Sequence, residues 1–326
     1  MEGQQFEFWF SDRLLAEATG VPLRALHFEL EMILRAHEAV QPIAERLGVH
    51  PPPAKLPGFA YAHIAALDAK IEFTDAEPTP APLLRSPEDI DRLREPGDYL
   101  EAGFIQQRLA LAERLIARCP AAARTIGHLL EGPVTTAALL LGERFFLLPY
   151  EDPERAHRLL EFCVRSGLNY ARAITRHFDP SADLVADGFP DDFGGIFAPP
   201  VFAEFVVPYW DRLYQGLQSS RRFLHSELLR VGHLPFLREL RVECYDPSAD
   251  QYLTPELLRQ HCPCRFQCRI QDWHVAHSTA EELQAMYRHL AGFRPKVISF
   301  CLSRLEDEAK IRALLDVARE LRSLEG

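Results

Sequence analysis

Apolar positions along the chain switch between helix-like and strand-like spacing. Near the start, apolar residues three and four apart run from Leu14 to Ile33 and predict helices over residues 11–48. Three consecutive prolines at 51–53 end this region. Beyond it, short apolar runs alternate with longer amphipathic segments, a pattern typical of parallel strands joined by crossover helices.

The short apolar runs predict seven strands. They cover residues 69–73, 125–130, 183–186, 223–225, 241–245, 265–270 and 296–300. We expect an eighth strand either near residues 60–64 or in the N-terminal region. Predicted helices begin at capping residues or prolines. They cover residues 135–141, 153–177, 199–218, 234–240 and 307–321, and others start near residues 86, 255 and 279.

The loops after the strands lack two phosphate-binding patterns, G-x-G-x-x-G and G-x-x-x-x-G-K. A closed barrel is therefore favoured over an open, doubly wound sheet. We predict an α/β fold, a (β/α)8 TIM-type barrel with an N-terminal helical extension. Residues 1–58 would be a helical segment packed on the barrel, and residues 59–326 would be the catalytic barrel.

The composition of the chain mainly argues against certain classes of binding partner. The 326 residues carry a net charge of −11 without a block of basic residues, which argues against nucleic acid and membrane surfaces as partners. The N-terminus does not resemble a secretory signal, and no apolar run is long enough to span a membrane. The seven cysteines are an odd number, so we expect reduced thiols and a cytoplasmic location.

Polar and ionisable residues recur at the ends of the predicted strands. In a barrel these positions converge on one mouth, where active sites form. The residues are His128, Glu131, Asp191, Asp192, His225, Glu227, Glu243, Tyr245, Asp246, Gln267, Arg269 and Cys301.

Three of these residues suggest a metal site. Imidazole, carboxylate and thiolate are competent zinc ligands, so His225, Glu227 and Cys301 could bind Zn2+, with Glu243 as a fourth ligand. The alternative is that His225 is a hydrogen-bonded strand-end residue and Cys301 a small core residue.

The adjacent carboxylates of Asp191 and Asp192 are candidate acid–base groups together with His225, because paired carboxylates can raise each other's pKa. The alternative is a capping or turn-forming role. The predicted substrate-binding residues are His128, Glu131, Tyr245, Asp246, Gln267 and Arg269.

A cysteine group precedes and enters the sixth predicted strand. Cys262, Cys264 and Cys268 follow C-x-C and C-x-x-x-C spacing, which differs from the paired C-x-x-C of a zinc ribbon. We therefore expect two loop cysteines and one strand cysteine.

Several segments together resemble the uroporphyrinogen decarboxylase superfamily. The main string is DDFGGIFAPPVFAEFVVPYWDRL at 191–213, where an aspartate and a glycine turn precede a proline-initiated helix. LEGPVTTAALLLG at 130–142 and FLHSE at 223–227 are similar to further family segments, as is FCLSRLEDEAKIRALLDVA at 300–318. The resemblance runs from about residue 60 to the end.

The resemblance implies a barrel enzyme of one of two kinds. Decarboxylases of the family carry an arginine-rich N-terminal signature, which is missing here. The other branch, which includes methylcobamide:coenzyme M methyltransferase, binds zinc through a His-x-Cys pair and a later cysteine. His225 and Cys301 match two of those ligands, and Glu227 stands where the branch has cysteine. This departure would give a harder Lewis acid, better suited to methoxyl groups.

These observations predict a corrinoid-dependent, zinc-assisted methyltransferase acting on a small methoxyl or thiol substrate, with the corrinoid on a partner protein. The alternative is a metal-free decarboxylase or lyase acting on a small or tetrapyrrole-like carboxylate. In it, Arg269 would bind the carboxylate and Asp191 would protonate the carbanion. A third possibility is a barrel that serves only as a binding or scaffold protein.

Overall fold

The computed structural model describes residues 5–73, 78–127, 129–248 and 250–324. The strands are β1 (Gln5–Phe10), β2 (Ile71–Glu72), β3 (Thr79–Pro80), β4 (Gly188–Pro190), β5 (Arg222–His225), β6 (Val242–Asp246), β7 (Arg265–Ile270) and β8 (Val297–Leu302). The helices up to the start of β4 are α1 (Asp12–Thr19), α2 (Leu23–Phe28), α3 (Leu30–Leu47), α4 (Ala62–Ala66), α5 (Gly103–Arg118), α6 (Pro133–Leu141), α7 (Leu148–Glu151) and α8 (Pro153–Phe178). Those after β4 are α9 (Pro199–Phe205), α10 (Val207–Gly216), α11 (Leu234–Glu239), α12 (Pro255–His261), α13 (Asp272–His277), α14 (Ala280–Gly292) and α15 (Glu308–Leu324).

Six of the strands form one sheet in the order β1-β8-β7-β6-β5-β4, and every neighbouring pair in it is parallel. Helices follow the strands and pack on one face, where Phe300 of β8 contacts Tyr287 of α14. The predicted α/β class with parallel strands and crossover helices is confirmed. The described residues form six parallel strands of this sheet, whereas eight were predicted.

Irregular segments occupy the space between β4 and β1 in the described part of the chain. Backbone hydrogen bonds hold them: Ala123 donates to Ala54 at 2.8 Å, and Gly132 donates to Pro190 of β4 at 2.7 Å. We call residues 54–59 and 123–132, apart from residue 128, the seam.

A buried arginine links the two segments of the seam. Arg108 of α5 is 1% exposed, and its guanidinium donates to the carbonyls of Ile126 at 2.7 Å and Pro57 at 3.0 Å. Its charge also lies over the ring of Phe59, 5.1 Å from the centroid. In the seam, side-chain hydrogen bonds therefore connect neighbouring segments, as backbone hydrogen bonds connect the strands of the sheet.

The structure corrects three predicted strands. The described residues of 125–130 are not a strand, because Gly127 has a φ of 135° and lies against the backbone of Phe59. The strand predicted at 183–186 begins only at Gly188. The segment 69–73 contributes only β2, which pairs antiparallel with β3 outside the main sheet.

The N-terminal location for the missing strand is confirmed, since Gln5–Phe10 pairs in parallel with β8. Residues 60–64 instead lead into α4. The domain boundary at residue 58 stays a prediction, but the segment before it supplies an edge strand as well as helices. No helix within the described residues is long and apolar enough to cross a membrane.

Candidate active site

Strand register places several predicted site residues on the interior face of the sheet. Pro190 is level with His225, and His225 is level with Asp246 on the next strand. On the neighbouring strands Arg269 is level with Ser299. Because side chains alternate along a strand, these residues share the face opposite to the helices. They lie toward the carboxyl ends of the strands, where barrel enzymes carry their chemistry.

His225 lies between two carboxylates. Its Nδ1 is 2.8 Å from Oδ2 of Asp246, and its Nε2 is 3.4 Å from Oδ1 of Asp192. Burial alone would lower the pKa of His225, but the hydrogen bond and charge of Asp246, together with the charge of Asp192, outweigh it and raise the pKa. The imidazole therefore favours its protonated form.

Asp246 is held as an anion by donors on several sides. Arg269 donates to its Oδ2 at 2.7 Å, and the Ser248 backbone donates to its Oδ1 at 2.9 Å. Burial would raise the pKa of Asp246, but the hydrogen bond from His225 and the charges of Arg269 and His225 lower it. An ionised Asp246 fixes the orientation of the His225 ring and stabilises the imidazolium.

Arg269 connects the His225–Asp246 pair to Ser248 and to Trp9. Its Nη1 donates to the Ser248 hydroxyl at 3.2 Å, and its guanidinium lies over the exposed indole of Trp9, 5.6 Å from the centroid. Trp9 in turn lines an open cleft of about 1360 Å³ at the ends of β1 and β8, whose lining also includes Lys55, Phe59 and Ser303. A substrate in this cleft would meet the indole of Trp9, over which the Arg269 guanidinium lies.

Asp192 beside His225, and Glu131 close to Asp192, both hold protons more tightly than usual. Burial raises the pKa of Glu131 well above its ordinary range, and the charges of Asp192 and Asp191 raise it further. The pKa of Asp192 is also raised, first by burial and then by Glu227 and Asp246, against the opposing effect of His225. Its buried Oδ1 has no hydrogen-bond partner, so the contact with His225 is loose.

Asp191 has a different environment from its neighbour. It is fully buried, and its carboxylate accepts four hydrogen bonds from three residues: two backbone N–H groups at 3.0 and 2.7 Å, the Thr135 hydroxyl at 2.8 Å and the Trp210 indole at 2.7 Å. Burial nevertheless raises the pKa of Asp191 to about 6. With both oxygens engaged, it anchors the start of α6 to the end of β4.

This anchor requires a glycine. A Cβ on Gly132 would lie 2.4 Å from the Asp191 side chain, so only glycine permits the close approach. Sequence reasoning missed Trp210 and Thr135 as partners of Asp191, and it missed Trp9 at the mouth. The Gly-Pro-x-Thr segment at 132–135 was the available signal for Thr135.

Among the described residues, the predicted site residues Tyr245, Gln267 and Glu227 make no side-chain hydrogen bond or ion pair with the His225 ring. Tyr245 is fully buried, and its hydroxyl donates to the carbonyl of Ser226 at 2.7 Å. Gln267 is buried at a register position level with Val297. Glu227 is half-buried in the segment after β5. His128 lies outside the described residues.

The predicted zinc ligands do not form a cluster. Glu243 is exposed, 3.9 Å from Arg265, and Cys301 is buried with its Sγ 3.3 Å from the Ser303 hydroxyl. Both ring nitrogens of His225 already face carboxylates, and burial raises the pKa of the Cys301 thiol. The described residues contain no group of three or more His, Cys, Asp and Glu side chains placed to hold a metal ion. The arrangement therefore does not fit a zinc ion, and the zinc site stays a prediction.

Comparisons with known proteins agree with this fold. The family model described as "Uroporphyrinogen decarboxylase (URO-D)" matches residues 54–251. Among solved structures, a methyltransferase from Methanosarcina mazei is similar with a TM-score of 0.72 and 14% sequence identity, over 98% of this chain and 94% of that one. A search of curated proteins gave no significant match. The matched segment contains Asp192, His225 and Asp246, which form the centre of the site.

Proposed function

Because this chain belongs to the uroporphyrinogen decarboxylase family, we propose that it is a methyltransferase acting on a small methoxyl or thioether substrate at the mouth of the barrel. The observation that carries the proposal is the position of the His225 ring between Asp246 and Asp192, which raises the pKa of the imidazole. The similarity in fold to the Methanosarcina mazei methyltransferase also supports a methyltransferase function. The acceptor would be a corrinoid on a partner protein, as the sequence predicts.

Methyl transfer from oxygen or sulfur leaves a negative charge on the atom that loses the methyl group. An acid within hydrogen-bond distance stabilises this charge by donating a proton. His225 can be this acid: its Nε2 proton passes to the leaving atom while the bond from that atom to the methyl carbon breaks. The products are an alcohol or thiol, a methylated acceptor and a neutral imidazole.

The surroundings of His225 suit this role. Its Nδ1 side is fixed by Asp246, which stabilises the imidazolium before transfer. Its Nε2 side faces Asp192 at 3.4 Å, beyond a good hydrogen bond, so an incoming oxygen or sulfur could replace that contact. When bound, a corrinoid acceptor would supply the nucleophile, and no step assigned to this chain depends on a metal.

A second candidate is decarboxylation, which the family description and one observation favour. Nε of Arg269 is buried and has no hydrogen-bond partner among the described residues, so after a movement of the side chain it could donate to a substrate carboxylate. His225 would then protonate the carbanion left after loss of carbon dioxide. Asp191, which the sequence suggested for this step, is fully buried with both oxygens engaged.

The test is to incubate the protein with a corrinoid protein and a panel of methoxylated and methylthio substrates. Methylation of the corrinoid is followed by absorbance, and carbon dioxide release is followed with matching carboxylates. We expect methyl transfer to fall about 100-fold in His225→Gln, because an amide cannot act as the acid. The exposed histidine of His289→Gln is the matched control and should leave transfer unchanged. Unchanged transfer in His225→Gln would overturn the assignment, and carbon dioxide release alone would favour decarboxylation.

A further inference from the structure

Two thiols face each other beside the amino end of β7. The Sγ atoms of Cys262 and Cys264 are 3.6 Å apart, and both residues are half-buried. Cys262 ends α12 and Cys264 precedes β7, with Pro263 between them. A distance of 3.6 Å is thiol contact, from which a small movement would form a disulfide.

This pair is distant from the candidate active site. Arg265 begins β7 next to the thiols, and Arg269 reaches the mouth four residues further along the strand. At about 3.3 Å per residue, the two positions are roughly 13 Å apart. The proposed methyl transfer does not use either cysteine.

The two thiols are not equivalent. The hydrogen bond between them lowers the pKa of Cys262, against the effect of burial. The same hydrogen bond raises the pKa of Cys264, and burial raises it further. Cys262 is therefore the better nucleophile, while Cys264 keeps its proton until a partner sulfur is close.

We propose that Cys262 and Cys264 form a thiol–disulfide exchange site for small disulfides. The sulfur of Cys262 attacks one sulfur of the small disulfide, forming a mixed disulfide and releasing one thiol. The sulfur of Cys264 then attacks Cys262 Sγ, gives up its proton and releases the second thiol. The two protein thiols are oxidised to a disulfide, and the small disulfide is reduced to two thiols.

The neighbouring cysteines do not share this arrangement. Cys268 and Cys244 are buried within strands, and the C-x-x-x-C spacing to Cys268 does not bring it into the contact at 3.6 Å. Cys119 is half-buried like the pair, but no thiol contact to it is found among the described residues. Cys119 is therefore a suitable control, because its thiol is about as exposed as those of the pair but has no second thiol beside it among the described residues.

The test uses the full chain and glutathione disulfide as the probe. After incubation and alkylation of the remaining thiols, peptide mass spectrometry should show a disulfide between Cys262 and Cys264 in the wild type. In Cys264→Ser the second step is blocked, so a glutathione adduct should accumulate on Cys262. In Cys262→Ser, an adduct on Cys264 should likewise persist, because no second thiol is left at 3.6 Å to resolve it.

The control variant Cys119→Ser should oxidise the pair at the wild-type rate, and thermal melting would show that each variant folds. The proposal is overturned if the pair stays reduced while Cys119 forms an adduct. It is also overturned if the wild type accumulates a lasting glutathione adduct instead of the disulfide between Cys262 and Cys264. Neither readout depends on methyl transfer, so this test and that of the proposed function can fail separately.

Discussion

The six-stranded sheet and the seam are held in different ways. From β4 round to β1, six parallel strands are joined by backbone ladders. Across the seam, the described residues are held by a buried arginine, a buried aspartate and closely packed glycines. The sheet carries His225 and Asp246 in fixed register, and the seam places Glu131 close enough to Asp192 for their charges to interact. Substitutions in the seam should therefore affect stability most, and substitutions in the sheet should affect chemistry.

Removing the guanidinium of Arg108 should have the largest effect on stability. Arg108→Met leaves the carbonyls of Pro57 and Ile126 buried without donors, each at a cost of roughly 1–3 kcal/mol. We expect the free energy of unfolding to fall by about 4 kcal/mol, measured by urea denaturation. Arg114→Met, on the exposed side of the same helix, should change it by less than about 0.5 kcal/mol. Equal losses in both variants would contradict a special role for the seam arginine.

A methyl group at Gly132 should have the next largest effect. Gly132→Ala would place a Cβ against the Asp191 carboxylate, and the required shift should cost about 2–3 kcal/mol. Gly292→Ala is the matched control, because it lies in α14 with open space around its Cβ position. That variant should gain up to about 1 kcal/mol from helix propensity. If Gly132→Ala melted at the wild-type temperature, the close packing of Asp191 would be disproved.

The smallest expected effect on stability concerns Glu131 and depends on pH. Its pKa is raised in the folded chain, so the folded state holds a proton that the unfolded state releases. This contribution to stability is present below the unfolded pKa of about 4.3 and is lost as the pH rises through the folded value. Glu131→Gln keeps the neutral form at every pH and should lose less stability than the wild type between pH 5 and 8.

The difference between the unfolding free energies of the two proteins should grow as the pH rises from 5 to 8. Glu29→Gln, at an exposed position, controls for the general effect of removing a charge and should follow the wild-type curve. A constant offset between wild type and Glu131→Gln over the whole pH range would show that Glu131 is not a tightly held acid.

The six-stranded sheet was largely predictable from the sequence. Apolar runs bounded by turn residues located β5 to β8 within two residues of their ends. β1 was placed only loosely, as one of two possible locations, because its alternation of Gln5 and Glu7 with aromatic residues was not used as a strand pattern. The seam was mistaken for a strand because Thr125–Leu130 has strand-like composition. The course of the backbone there depends on Gly127, which has a positive φ, and on Arg108, which is distant in sequence. Neither effect can be read from the local pattern of apolar residues.

The sequence predicted which residues would lie together at the site, but it did not predict the role of each one. Strand ends correctly indicated that His225, Asp246 and Arg269 would lie close together. The pattern could not decide which of Asp191 and Asp192 faces the mouth, because that depends on where β4 ends to within one residue. It also paired His225 with Cys301 and Glu243, although strand register and exposure place Glu243 beside Arg265.

The central claim is that Asp246 keeps His225 protonated at the mouth of the barrel. The most direct measurement is the pKa of His225 from an NMR titration of its ring signals in wild type and Asp246→Asn, with His225→Gln used for assignment. We predict a pKa above the ordinary value of 6.5 in the wild type and a lower pKa in Asp246→Asn, because burial is then less opposed. A wild-type pKa at or below 6.5, unchanged in Asp246→Asn, would contradict the account.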